Sequence, residues 1–131
     1  MFAANHENMY LRDNYYRIKN IQRDDRDCIV AVKILPDCNI FNGHFPGNPI
    51  CPGACSIEII RECACLLTGW KLTVSSIRQC RFITVARPEN CDDLMVYVHA
   101  TPVPSADCFT IDARISDADN VYVTFRGEMR L

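Results

Sequence analysis

A histidine and a glutamate flank a short segment rich in proline and glycine, NGHFPGNPICPGACSIE, at residues 42–58. His44 stands fourteen residues ahead of Glu58, with three prolines and two glycines between them. Histidine is suited to removing a proton because its pKa lies near neutrality. A carboxylic acid that apolar surroundings keep protonated is suited to giving a proton to a leaving group. The pair therefore indicates proton-transfer chemistry, provided that the fold brings both side chains into one pocket.

The residues between the pair predict an ordered loop that leads into a helix. Prolines at positions 46, 49 and 52 exclude regular helix over residues 42–51, and each biases its predecessor to extended geometry. Pro52 fits the first helical turn, where its missing N–H costs nothing. Gly53 then lies at the helix start, where N–H groups have no helical acceptor and favour an anion. Glu58 follows about 8 Å further along the helix axis.

The run ACSIEIIRECACLL, from Ala54 to Leu67, predicts a helix that is wrapped by protein on most sides. Its only polar residues are Ser56, Glu58, Arg61 and Glu62. Gly69 is expected to end this helix.

Alternation of apolar and polar residues predicts strands on both sides of the helix. Two strands precede the loop and three or four antiparallel strands follow the helix. We expect a bend or bulge in the long run from Leu72 to Ala86. The predicted strands cover residues 15–22, 28–34, 72–86, 93–101, 109–115 and 121–129. One sheet curling around one helix is the simplest packing that hides so apolar a helix, which gives an α+β fold.

Length and composition limit the classes of protein. The 131 residues suit a single domain over 1–131, and the net charge of −2 gives no broad basic face for nucleic acid. No apolar run is long enough for a membrane helix, and the polar first residues lack the apolar core of a signal peptide. The expected location is therefore cytoplasmic.

The nine cysteines predict reduced thiols. Neither Cys51 with Cys55 nor Cys63 with Cys65 has zinc-site spacing, so no metal is expected.

The segment HFPGNPICPGACSIE resembles the active-site segment of 3-hydroxyacyl-acyl-carrier-protein dehydratases of the hotdog fold. That family's pattern is H-F-P-G-x-P-x-x-P-G, then four intervening residues, then Glu or Asp. The positions in register are His44, Phe45, Pro46, Gly47, Pro49, Pro52, Gly53 and Glu58. The predicted element order is also that of a hotdog fold. Two departures stand out: Ala54 and Cys55 replace aliphatic residues, and Glu62 stands where the family often has glutamine.

The resemblance implies dehydration of a 3-hydroxyacyl chain on acyl carrier protein to the trans-2-enoyl product. It implies that His44 is the base, that Glu58 is the acid, and that the Gly53 N–H supports the thioester oxygen. Phe45, Pro52 and Ala54 are implied as further substrate contacts. No metal or organic cofactor is expected, since the phosphopantetheine arm arrives with the substrate. The family implies a homodimer or higher oligomer, in which Glu58 of one subunit meets His44 of the other.

Other interpretations of these residues remain open. His44 could be an ordinary loop histidine, and Glu58 could pair with Arg61 three residues on. As a whole, the chain could be a hotdog thioesterase or a non-catalytic acyl-binding subunit of a polyketide-like or polyene pathway. His99 is interpreted as structural because it alternates with Met95 and Tyr97 along a strand. The basic residues Arg78, Arg81 and Arg87 could attract an acidic carrier protein or could be scattered solvated charges.

Overall fold

The computed structural model describes residues 9–43 and 47–131 of the chain. One helix and six antiparallel strands make up its regular structure there, together with two short 3-10 turns. The elements are β1 (Tyr16–Arg23), β2 (Asp27–Ile34), α1 (Gly53–Thr68), β3 (Thr73–Phe82), β4 (Leu94–Val103), β5 (Cys108–Ser116) and β6 (Val121–Arg130). The predicted order of two strands, a loop, one buried helix and four strands is confirmed.

The strands form one sheet in the order β1-β2-β4-β5-β6-β3. Every neighbouring pair runs antiparallel. The helix lies in the chain between β2 and β3, so β3 is carried to the far edge of the sheet and pairs there with β6 alone among the described strands. This arrangement leaves β1 and β3 as the two edge strands.

The inner face of the sheet and the helix bury one continuous apolar core. On β2 the buried positions alternate as the sequence predicts: Cys28, Val30, Val32 and Ile34 are buried, while the intervening residues are partly exposed. The central strand β4 repeats the pattern. Ile59, Ile60 and Ala64 of α1 belong to the same cluster. Since each fully buried aliphatic side chain contributes about 1.5–3 kcal/mol, this cluster is the main force that holds α1 against the sheet.

The helix begins and ends where its flanking residues require. Pro52 caps the start with extended backbone, at φ −64° and ψ 141°, so it precedes the first turn rather than lying within it. Gly69 ends the helix in the left-handed region, at φ 77°, and its N–H donates to the Cys65 carbonyl at 2.9 Å. Within residues 9–43 and 47–131, no helix combines the length and apolar character needed to span a membrane.

The predicted long strand from Leu72 to Ala86 is shorter in the structure. β3 ends at Phe82, and its pairing with β6 is interrupted between Val74 and Ser76 and again between Ile77 and Gln79. The expected irregularity is therefore confirmed. Beyond the strand, the Ala86 carbonyl accepts from the Cys51 N–H at 2.8 Å. The chain leaves the sheet there because this bond draws it towards the loop ahead of α1.

Gly127 is required where β6 meets β3. A Cβ atom at this position would lie 2.3 Å from the Ser76 carbonyl oxygen. We therefore predict that Gly127→Ala lowers the free energy of unfolding by about 1–3 kcal/mol, the usual cost of overpacking. Urea unfolding measures the change. Gly43→Ala is the matched control, because its added Cβ meets no atom within 4 Å and its φ is −94°. Equal stability of the two variants would contradict the tight contact.

Candidate active site

The start of α1 presents free backbone donors, as the sequence predicts. The N–H groups of Cys55 and Ser56 donate to the Pro52 carbonyl at 3.1 and 3.3 Å. The N–H groups of Gly53 and Ala54 precede the first helical bond and so have no acceptor within the helix. Together with the helix dipole, they form a position that can hold an oxygen bearing negative charge.

The loop ahead of α1 is anchored on both sides of the predicted base. His44, Phe45 and Pro46 themselves lie outside the described residues. On the N-terminal side, a 3-10 turn over Asn39–Asn42 buries Phe41, whose ring stacks on Tyr15 at 5.3 Å between centroids. On the C-terminal side, the Cys51 bond to Ala86 holds the chain. These anchors hold the described parts of the loop on either side of residues 44–46.

Phe82 is a site residue that the sequence did not predict. A Cβ atom on Gly53 would lie 2.7 Å from the Phe82 ring, so the absent side chain of Gly53 makes room for this ring in the subunit. Phe82 is 55% exposed, and the predicted contact Ala54 is exposed beside it. Phe82 falls within a run that predicts only a strand, and no pattern marks it as lying over the helix start.

Glu58 forms a two-pronged ion pair with Arg61. The Arg61 Nε donates to Glu58 Oε1 at 2.9 Å and Nη2 donates to Oε2 at 2.7 Å. Burial raises the pKa of Glu58, but hydrogen bonds from Arg61 and Glu62 and the charge of Arg61 outweigh burial, and the net pKa is lowered. This direction differs from the expectation of a carboxyl kept protonated by apolar surroundings. The i,i+3 pairing weighed from the sequence is the arrangement present in the subunit.

Arg61 is held in place by further contacts. It is only 8% exposed, and its Nη1 donates to the Leu72 carbonyl at 2.9 Å. The same nitrogen approaches Cys65 Sγ at 3.5 Å, and the guanidinium lies 5.5 Å from the centre of the Tyr10 ring. The bond to Leu72 holds the Arg61 guanidinium at the chain that leads into β3. The same guanidinium therefore lies beside the Glu58 carboxylate.

Glu62 is completely buried and accepts three hydrogen bonds. Its Oε2 accepts from the Leu11 N–H at 2.9 Å, and its Oε1 accepts from the Arg12 N–H at 3.1 Å and from the Tyr16 hydroxyl at 2.8 Å. Burial raises its pKa to about 8, and the hydrogen bond with Glu58 acts in the same direction. The sequence marked Glu62 only as a departure from the family pattern.

The face of the sheet that points away from α1 holds a groove, and neither Glu58 nor Glu62 lines it. It has a volume of about 700 Å³ and is lined by residues such as Tyr97, His99 and Arg126. His99 is held by Asp27 at 2.7 Å and by Thr101 at 3.1 Å, which supports its structural interpretation. In the described part of the chain, no group of three or more His, Cys, Asp or Glu side chains is arranged to hold a metal ion. All nine cysteines are free thiols.

The three arginines of the predicted basic patch have local partners. Arg78 pairs with Glu128 at 3.5 Å. Arg87 donates to the Asn48 side chain in the loop ahead of α1. Arg81 lies beside the side-chain amide of Gln79. Glu128 partly offsets the charge of Arg78, whereas the neutral amides beside Arg81 and Arg87 leave their charges in place.

Curated relatives match a large part of the chain. A 3-hydroxyacyl-[acyl-carrier-protein] dehydratase FabZ of Levilactobacillus brevis is 34% identical over 104 residues, covering 70% of this chain and 69% of the relative. The protein of the same description from Idiomarina loihiensis is 30% identical over 113 residues, covering 84% of this chain. The chain spans 62% of the length of that relative.

Solved structures share the fold at low identity. The dehydratase heterocomplex ApeI:P from Xenorhabdus doucetiae contains a chain with a TM-score of 0.70 and 17% identity, covering 88% of this chain and 97% of its own. The PaaI protein from the phenylacetic acid degradation operon of E. coli has a TM-score of 0.64 and 18% identity, covering 88% and 82%. The predicted α+β hotdog fold is confirmed.

The family model for ApeI-like dehydratases, described as ApeI dehydratase, matches residues 20–121. The match contains the whole stretch from the 3-10 turn through α1 to β5. The chain therefore belongs to the ApeI-like dehydratase family of hotdog-fold proteins.

Proposed function

We propose that the protein removes water from a 3-hydroxyacyl chain on acyl carrier protein and yields the trans-2-enoyl product. The observation that carries the proposal is the start of α1, where open N–H donors at Gly53 precede Glu58 by five residues on one helix. Family membership and the names of the FabZ relatives support the same reaction. Such a reaction belongs in the cytoplasm with the carrier protein, and the proposal includes that location.

Each proposed catalytic group acts in one step of the reaction. His44 takes a proton from C2 of the substrate, and negative charge builds on the thioester oxygen. The Gly53 N–H stabilises that oxygen, helped by the helix dipole. The C2=C3 bond then forms as the C3–O bond breaks, and the departing hydroxyl takes a proton from Glu58 and leaves as water. Phe45, Pro52 and Ala54 are proposed to contact the acyl thioester. No step requires a metal or organic cofactor.

The β3 edge is proposed to pair with a second subunit and to complete the site. In the single subunit, Ile77, Phe82, Ile83 and Val85 are 48–59% exposed along or just beyond this unpaired edge. So large an apolar strip on an open sheet edge is typical of an interface. Pairing here would place two copies of α1 side by side, with Glu58 of one copy facing His44 of the other. The heterocomplex formed by the ApeI:P neighbour makes a different second polypeptide the alternative occupant.

One observation favours thioester hydrolysis as the second candidate function. Glu58 is paired with Arg61, and an ionised carboxylate is the state that could activate water at a thioester carbonyl. The dehydratase needs a protonated acid at the moment that the hydroxyl leaves. The two activities give different products, since hydrolysis releases free acid and carrier whereas dehydration leaves the acyl chain attached.

Mass spectrometry on a panel of 3-hydroxyacyl-carrier substrates separates the candidates. We expect the loss of one water from the acyl-carrier species. His44→Ala and Glu58→Gln should each lower the rate by about 10²–10⁴-fold, the usual contribution of general acid–base catalysis. His99→Ala is the control and should retain the wild-type rate, since His99 lies in the groove on the opposite face. Free acid as the main product, or full activity of His44→Ala, would contradict the proposal.

The proposed interface has its own test. We predict that Ile77→Lys on β3 shifts the protein from dimer to monomer in size-exclusion chromatography with light scattering, because it places a charge on the apolar edge. Activity should fall with the dimer if the site is shared between subunits. Ile21→Lys is the matched control, since Ile21 is 39% exposed on the other edge strand, β1. A wild-type protein that is monomeric and active would reject the shared site.

A further inference from the structure

Two glutamates, Glu58 and Glu62, lie one turn apart on α1. Residues four apart on a helix share a face, with Cβ atoms about 5–6 Å apart. An interaction between the two carboxyl groups lowers the pKa of Glu58 and raises that of Glu62. A hydrogen bond between two carboxyl groups needs a proton on one of them, because two carboxylates offer only acceptors. We therefore expect the pair to share one proton.

The surroundings decide which carboxyl holds the proton at rest. Glu58 faces the guanidinium of Arg61, which stabilises its ionised form. Glu62 is 0% exposed and receives only neutral donors, namely two backbone N–H groups and the Tyr16 hydroxyl. These donors favour the ionised form of Glu62, but complete burial without a direct ion pair outweighs them, and the net pKa of Glu62 is raised. The resting arrangement is thus an ionised Glu58 beside a protonated Glu62.

Among residues 9–43 and 47–131, the titratable and charged groups near Glu62 come from three elements. They are Glu58, Arg61, Cys63 and Cys65 on α1, Tyr16 on β1, and Arg12 in the segment ahead of β1. Arg61 is a cation on the same helix, and its Nε and Nη2 donate to Glu58. The proton on Glu62 is therefore not displaced by a direct charge partner.

We propose that Glu62 is the proton store of this site and passes its proton to Glu58 when the departing hydroxyl needs an acid. The proposal rests on the proposed dehydration, in which Glu58 must be protonated although Arg61 favours its ionised form. Glu62 loses its O–H proton to Glu58, Glu58 gives a proton to the C3 hydroxyl, and water leaves. Solvent returns a proton to the pair through Glu58, whose side chain is 23% exposed. The proton taken from C2 leaves through His44.

The catalytic test removes the titratable group but keeps its shape. Glu62→Gln leaves an amide donor facing Glu58 and no proton to transfer, so kcat should fall by about 100-fold, within the range of general acid catalysis. The double variant Arg61→Met/Glu62→Gln should recover at least tenfold of that loss, because burial alone then raises the pKa of Glu58. Wild-type kcat with a wild-type pH profile in Glu62→Gln would overturn the proposal.

A second measurement tests the stored proton without any substrate. In the folded protein Glu62 keeps its proton up to about pH 8, whereas in the unfolded chain it ionises near its ordinary pKa of 4.5. Its stabilisation is therefore complete below pH 4.5 and is lost as the pH rises to about 8. The Tm of the wild type should fall relative to that of Glu62→Gln over this window. Glu128→Gln, which removes an ion pair with Arg78, is the control and should keep the wild-type slope.

The two readouts separate the possible failures. If the wild type dehydrates no substrate but the Tm difference between pH 4.5 and 8 is present, the proposed function is wrong and the stored proton stands. If the wild type is an active dehydratase and Glu62→Gln shows the same Tm slope as the wild type, the stored proton is rejected.

Discussion

The ion pair between Glu58 and Arg61 is the interaction on which the chemistry of this site depends. The guanidinium is fixed at the Leu72 carbonyl and cannot easily turn away from the helix. A carboxyl in this position is ionised at rest, so the burial that would otherwise make Glu58 an acid is offset. Glu62, one turn further along the helix, has the opposite tendency. It is buried without a direct cation, which favours its protonated form. Arg61 and Glu62 therefore act together in setting the protonation of Glu58.

The same cluster links the chemistry to the fold. Glu62 accepts from Leu11, Arg12 and Tyr16, so the segment ahead of β1 is fastened to the middle of α1. Arg61 fastens the chain entering β3 to the same turn of the helix. Both edge strands of the sheet are thereby tied to the helix that holds the proposed acid. A change of charge in the cluster consequently alters both protonation and the attachment of the sheet edges.

The sequence predicts the fold well because alternation and turn residues are local signals. The buried face of β2, the ends of α1 near Pro52 and Gly69, and the irregularity in β3 follow from such signals. The Glu58–Arg61 pair also follows from i,i+3 spacing. The contacts of Glu62 do not, because its partners are backbone N–H groups about fifty residues away, which leave no mark on side-chain pattern. The Phe82 ring over Gly53 depends on where β3 ends, and tertiary bonds set that end.

The most direct test of the account is the titration of the glutamate carboxyl carbons by NMR in protein labelled at those carbons. The account predicts one carboxyl that titrates near pH 8, and this signal should vanish in Glu62→Gln while it persists in a variant of a distant glutamate such as Glu128. A wild-type protein in which every glutamate has titrated by about pH 5, within the ordinary range for this side chain, would contradict the shared proton on α1.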